Sequence, residues 1–117
     1  MATILVVDDD DGVRQIAVMI LKLKGHEILP ACNGLEALMV YSSYRHGVDL
    51  VLTDVDMPGM NGIELANRVR DRDPSKKILL MSGRALAGIK GADGYPMLAK
   101  PFLPDQLVAA VDGILKG

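Results

Sequence analysis

The sequence predicts an α/β domain in which a five-stranded parallel sheet is doubly wound, with helices on both faces in a three-layer α/β/α sandwich. Three observations lead there. Five short apolar runs alternate with five helical stretches over 117 residues. Such alternation needs right-handed crossovers, which place helices on both faces of a parallel sheet. Four of the runs also end in polar residues, namely Asp8-Asp9, Asp54, Ser82 and Lys100. Parallel strands would gather those ends on one edge.

The composition supports one domain. Half of the chain is hydrophobic, but three Tyr and one Phe are its only aromatics, so aliphatic side chains and seven Met must build the core. Thirteen basic against fifteen acidic residues leave a net charge of −2. That balance argues against a dedicated nucleic-acid or membrane-surface binder. No apolar run approaches the ~18 residues of a membrane span. Met1-Ala2-Thr3 leads straight into a strand without the pattern of a signal peptide. Cys32 stands alone, so no internal disulfide forms, which suits a reducing cytoplasm. The expectation is a cytoplasmic, single-domain protein over residues 1–117, with no output domain.

The elements follow in order. Ile4 to Val7 is a buried strand that runs into four acids, Asp8 to Asp11. Val13, Ile16, Ala17, Ile20 and Leu21 then recur at helical spacing, with Asp11 as the expected N-cap and Gly25 as the stop. Glu27 to Ala31 is a weak strand, and Pro30 puts it at a sheet edge. Leu35 to Tyr41 is helical and ends near Gly47. Leu50-Val51-Leu52 carries the backbone to Asp54, and its unbroken apolar character marks a strand buried on both faces. The chain breaks at Pro58-Gly59 and restarts after Asn61-Gly62. Ile63, Leu65, Ala66 and Val69 give a third helix, ending near Pro74. Ile78 to Met81 is the fourth strand, ending in Ser82-Gly83.

Residues 84–95 carry Gly88, Gly91 and Gly94, each costing about 1 kcal/mol in a helix relative to Ala. One short or irregular helical turn is expected there, with few buried residues. Met97 to Ala99 is a brief fifth strand ending in Lys100-Pro101. Leu103, Leu107, Val108, Val111 and Leu115 form the last helix, started by Pro104-Asp105.

In open α/β sheets, ligands bind at the carboxyl ends of the strands. Three carboxylates, a hydroxyl and an ammonium would therefore converge. Two carboxylates at ~4 Å repel by about 4 kcal/mol even at an effective dielectric of about 20, so the cluster must protonate or hold a cation. Hard oxygen ligands suit Mg²⁺, and Lys100 and Ser82 suit phosphate oxygens. Read singly, Asp8 and Asp9 fit acids at a helix N-terminus, Ser82 a turn residue and Lys100 a surface charge. Four strand ends of this kind together favour a site.

Val6-Val7-Asp8-Asp9-Asp10, the segment from Thr53 through Asp54, Pro58 and Gly62 to Leu65, Met81-Ser82-Gly83 and Lys100-Pro101-Phe102 resemble the receiver domain of bacterial response regulators. The resemblance runs from Ile4 to about Leu115. It implies a flavodoxin-like fold with strand order 2-1-3-4-5. It also implies that Asp54 is the phosphoacceptor, taking a phosphoryl group from a phosphohistidine on a sensor histidine kinase or histidine phosphotransfer protein. Asp9 and Asp54 would ligate Mg²⁺ with the main-chain carbonyl of Asp56, and Asp8 would act through a bound water. Ser82 and Lys100 would contact the phosphoryl oxygens. A cis Lys100-Pro101 peptide and an Arg84–Asp56 pair across the site are further expectations. The downstream target would be another protein.

Three features depart from the commonest pattern, one of them the short, Gly-rich stretch between Ser82 and Lys100. Ser82-Gly83 replaces Thr-Ala, as in receivers attached to hybrid kinases. Met97 stands where an aromatic is usual, and Tyr95 lies two residues earlier. Two other readings compete. Asp54-Val55-Asp56 also fits a haloacid-dehalogenase-like phosphohydrolase, although that scheme has no place for Asp8-Asp9. A degenerate receiver that only binds proteins is the third, and the full acceptor set argues against it.

Overall fold

The computed structural model describes residues 1–84 and 89–117. One sheet holds five strands, β1 (Thr3–Val7), β2 (Glu27–Ala31), β3 (Leu50–Asp54), β4 (Lys77–Ser82) and β5 (Met97–Ala99). Their order is β2-β1-β3-β4-β5 and every pairing is parallel, as expected. Four helices are seen among the described residues: α1 (Asp11–Leu23), α2 (Gly34–Tyr44), α3 (Gly62–Arg72) and α4 (Pro104–Lys116). None is long and apolar enough to cross a membrane.

The period of two along each strand divides the core. Leu5, Val7, Val51, Ile78 and Leu80 face one side and meet Ala37 and Tyr41 of α2 and Leu65, Ala66 and Val69 of α3. Ile4, Val6, Leu50, Leu52, Leu79 and Met81 face the other and meet Ala17, Ile20 and Leu21 of α1 and Leu107 and Val111 of α4. All five residues of β3 are buried, because β3 is central and covered on both faces. Pro30 sits in β2 at the edge, where a missing ladder donor costs little.

Caps place the loops at the carboxyl edge. Asn33 Oδ1 accepts from the N–H of Glu36 at 2.8 Å, and Glu36 Oε1 accepts in return from the N–H of Cys32 at 2.7 Å. Asn61 caps α3 through the N–H of Glu64 at 2.9 Å. In α1 the cap is Asp10, whose Oδ1 accepts from the N–H of Val13 at 3.1 Å. The expected cap, Asp11, lies in the first turn instead. Both acids can serve the helix dipole, but only Asp10 has the extended backbone of a cap.

The expected helical turn within 84–95 includes residues 85–88, which lie outside the described residues. Beyond them Lys90, Gly91, Asp93 and Gly94 are exposed, in line with the expectation of few buried residues, and two residues, Ile89 and Ala92, are buried. Both join the core between the sheet and α3. Gly91 and Gly94 adopt φ of 85° and 88°, a region that favours glycine, so the chain turns while these apolar residues point inward.

Candidate functional site

Asp8 follows β1 and is fully buried. Its Oδ1 accepts from the N–H of Asp10 at 2.9 Å and its Oδ2 from Lys100 Nζ at 2.8 Å. Asp54 closes β3 and is 6% exposed, with Oδ1 at 3.1 Å from the same Nζ. Asp9 is exposed. Carboxylate oxygens of Asp8, Asp9 and Asp54 lie within 4.8 Å of one another.

Lys100 reaches this point because β5 ends beside β4. Its N–H donates to the carbonyl of Ser82 at 2.8 Å, and the Lys100-Pro101 peptide is cis, as expected. Ser82 is buried, and its Oγ accepts from the N–H of Arg84 at 3.0 Å. That leaves the hydroxyl hydrogen of Ser82 to donate elsewhere.

Two neighbours of Asp54 escaped the reading of the sequence. Thr53 Oγ1 donates to the Asp54 carbonyl at 3.0 Å. Gly62 packs so closely that a Cβ there would lie 2.0 Å from that same carbonyl oxygen. The break after Pro58 hinted at a tight return, but its contact point became visible only in the folded chain.

Burial pushes the Asp54 carboxyl above the ordinary Asp value. The Lys100 charge pulls it down, while Asp8 and Asp9 add to the push. Burial alone would lower Lys100, yet its bonds to Asp8 and Asp54 outweigh this and raise it. Lys100 therefore remains an ammonium, and Asp54 is a more basic oxygen nucleophile than a solvated carboxylate. The donor set of three close carboxylates fits a small hard cation with oxygen ligands.

Asp56 is divided. Its carboxylate is not among the three clustered groups; it binds Arg84, with Nε at 3.0 Å and Nη2 at 2.7 Å. Its main-chain carbonyl, the expected ligand, accepts no backbone hydrogen bond among the described residues. Tyr95 does not take the place of Met97. Its hydroxyl donates to Asn67 Oδ1 at 2.6 Å and Arg70 lies over its ring, 4.7 Å from the centroid. Met97 packs against the core on the α2 and α3 side.

Comparison with known proteins agrees with this geometry. The family model described as "Response regulator receiver domain" matches residues 4–112. The chain is 36% identical over 119 residues to sensor kinase CckA of Brucella abortus, covering 98% of this chain and 13% of that protein. It is 33% identical over 112 residues to sporulation initiation phosphotransferase F of Bacillus subtilis, covering 92% of this chain and 89% of that protein. The response regulator TrrA of Thermotoga maritima, solved in complex with Mg²⁺-BeF, superposes with a TM-score of 0.88 at 32% identity, covering 97% of this chain and 99% of that one. The chain spans about half or less of the length of several curated relatives that it matches. A family match over residues 4–112, on the same fold, shows that this protein belongs to the response regulator receiver domain family.

Proposed function

We propose that Asp54 is the phosphoacceptor of this receiver and that its donor is a phosphohistidine on a sensor histidine kinase or a histidine phosphotransfer protein. One observation carries the reading. A nearly buried carboxylate with a raised pKa stands at the end of β3, with an ammonium 3.1 Å away and the Asp8-Asp9 pair beside it. A carboxylate in that place can attack, and an ammonium in that place can hold what it acquires.

In the transfer, an Asp54 oxygen forms the new O–P bond as the P–N bond of the phosphohistidine breaks; the bond's electron pair stays on the ring, which, protonated on its other nitrogen, leaves as neutral imidazole. Lys100 pairs with one phosphoryl oxygen and Ser82 donates its hydroxyl hydrogen to another. Asp8, Asp9, Asp54 and the Asp56 carbonyl would hold Mg²⁺, which when bound neutralises charge on the entering phosphoryl group. The protein contributes position and electrostatics rather than turnover of a substrate pool, so it works as a signalling module whose modified surface changes its protein contacts. The phosphohydrolase alternative gains no support. Asp56, its second acid, is occupied by Arg84, and the Asp8-Asp9 pair that it leaves unused is central here.

Incubation with acetyl phosphate and Mg²⁺ tests the reading. The wild type should acquire one covalent phosphate per chain and Asp54→Asn none. Equal labelling of Asp54→Asn, or turnover of phosphate esters without a phosphoprotein, would overturn it.

A further inference from the structure

Arg14 lies in the first turn of α1 with its side chain 16% exposed. It points back at β1. Nη1 donates to the main-chain carbonyl of Asp8 at 2.8 Å, and Nη2 to Asp11 Oδ1 at 2.5 Å. The guanidinium thus spans the acidic run from its first residue to its last. Within the run, Asp10 is held twice, by its N–H to Asp8 Oδ1 and by its Oδ1 to the N–H of Val13. Asp9 lies between two pinned residues and keeps its carboxylate exposed.

We propose that Arg14 is a positioning residue for the divalent-cation site, fixing the main-chain path that presents Asp9 beside Asp8 and Asp54. The inference rests on the reading of those carboxylates as a Mg²⁺ site. Four consecutive acids repel one another, and a free loop would relax by spreading them. A planar fork of donors can hold a carbonyl and a carboxylate at once, which the single ammonium of Lys cannot do with the same geometry.

Charge and positioning predict opposite signs. Arg14 is a cation near a cation site, so by charge alone its removal strengthens Mg²⁺ binding. By positioning, its removal weakens binding, and groups that orient metal ligands typically cost about 10–100-fold in affinity when lost.

The experiment is a calorimetric Mg²⁺ titration of metal-free wild type, Asp9→Ala, Arg14→Ala and Arg14→Lys, at a temperature where circular dichroism shows each folded. Arg14→Ala should bind about tenfold more weakly than wild type, with Arg14→Lys between the two. Equal or tighter binding by Arg14→Ala overturns the proposal. If Arg14→Ala does not fold, Arg14→Lys decides alone, with weaker binding supporting the proposal and wild-type binding overturning it. A wild type that binds no Mg²⁺, or an Asp9→Ala that binds as well as wild type, sinks the metal-site reading and this proposal with it. Wild-type binding lost in Asp9→Ala but kept in Arg14→Ala sinks the positioning role alone.

Discussion

Arg84 grips both carboxylate oxygens of Asp56, at 3.0 and 2.7 Å, joining the end of β4 to the loop after β3. Arg84 and Asp56 each lie two residues beyond a site residue, Ser82 and Asp54. The bidentate pair therefore bridges the two segments that flank the acceptor, where it can obstruct water.

Arg84→Ala should shorten the lifetime of the phosphoryl group on Asp54 by severalfold. Stability should hardly change, since both side chains are more than half exposed and such pairs are worth about 0–1 kcal/mol. The loss of label after removal of the donor measures the first and a thermal melt the second. An unchanged lifetime would show that the pair does not screen the site.

The raised pKa of Asp54 makes stability depend on pH. In the folded chain Asp54 holds its proton to higher pH than in the unfolded chain. Its contribution is complete below the unfolded value of 3.8 and is lost as pH rises through the folded value. Asn cannot ionise, so Asp54→Asn lacks this loss. Without divalent ions, the melting temperature of Asp54→Asn should gain on that of wild type as pH rises out of the acid range. A difference independent of pH would contradict the burial account.

Two glycines should respond oppositely to alanine. Gly62→Ala puts a methyl 2.0 Å from the Asp54 carbonyl oxygen, forcing backbone to move at about 1–3 kcal/mol or more, with loss of acceptor geometry. Gly113 lies within α4 and a Cβ there meets nothing within 4 Å. Gly113→Ala should stabilise by about 0.5–1 kcal/mol. Denaturant midpoints and phosphorylation rates distinguish the two.

Tyr41 is fully buried, and its hydroxyl donates to Asp73, which also meets Arg45 Nη2 at 3.2 Å. The Tyr41 bond is the largest cause holding Asp73 below the ordinary Asp value. That stability is present above the unfolded value and lost as pH falls through the folded one. Tyr41→Phe should therefore lower the melting temperature by a few degrees at neutral pH and by less in acid. An equal loss at both pH values would assign the effect to packing alone.

Much of this was legible in the residues themselves. Leu50-Val51-Leu52 running into Asp54 marks a buried strand with an acid at its rim, because a chain so apolar has nowhere else to go. Lys100 could be placed with Asp8 from the shared edge of parallel strands. The cap of α1 was misplaced by one residue, since Asp10 and Asp11 are chemically alike and only the backbone angle separates them. Arg14 escaped notice because its partner at Asp8 is a carbonyl, which every residue possesses. The glycines of residues 84–95 signal a stretch with few buried residues, but which of them turn inward, Ile89 and Ala92, is decided by the core that the folded chain supplies.

Lys100 touches the carboxylates of both Asp8 and Asp54. The protein thus carries its own counterion where its fold brings three carboxylates together. Many small metal sites assemble only when the ion arrives, so that chelation unfolds the chain. Here the resident ammonium keeps the strand ends together in advance. On the function proposed above, folding would then not wait on divalent supply, and the ion would serve the phosphoryl transfer alone.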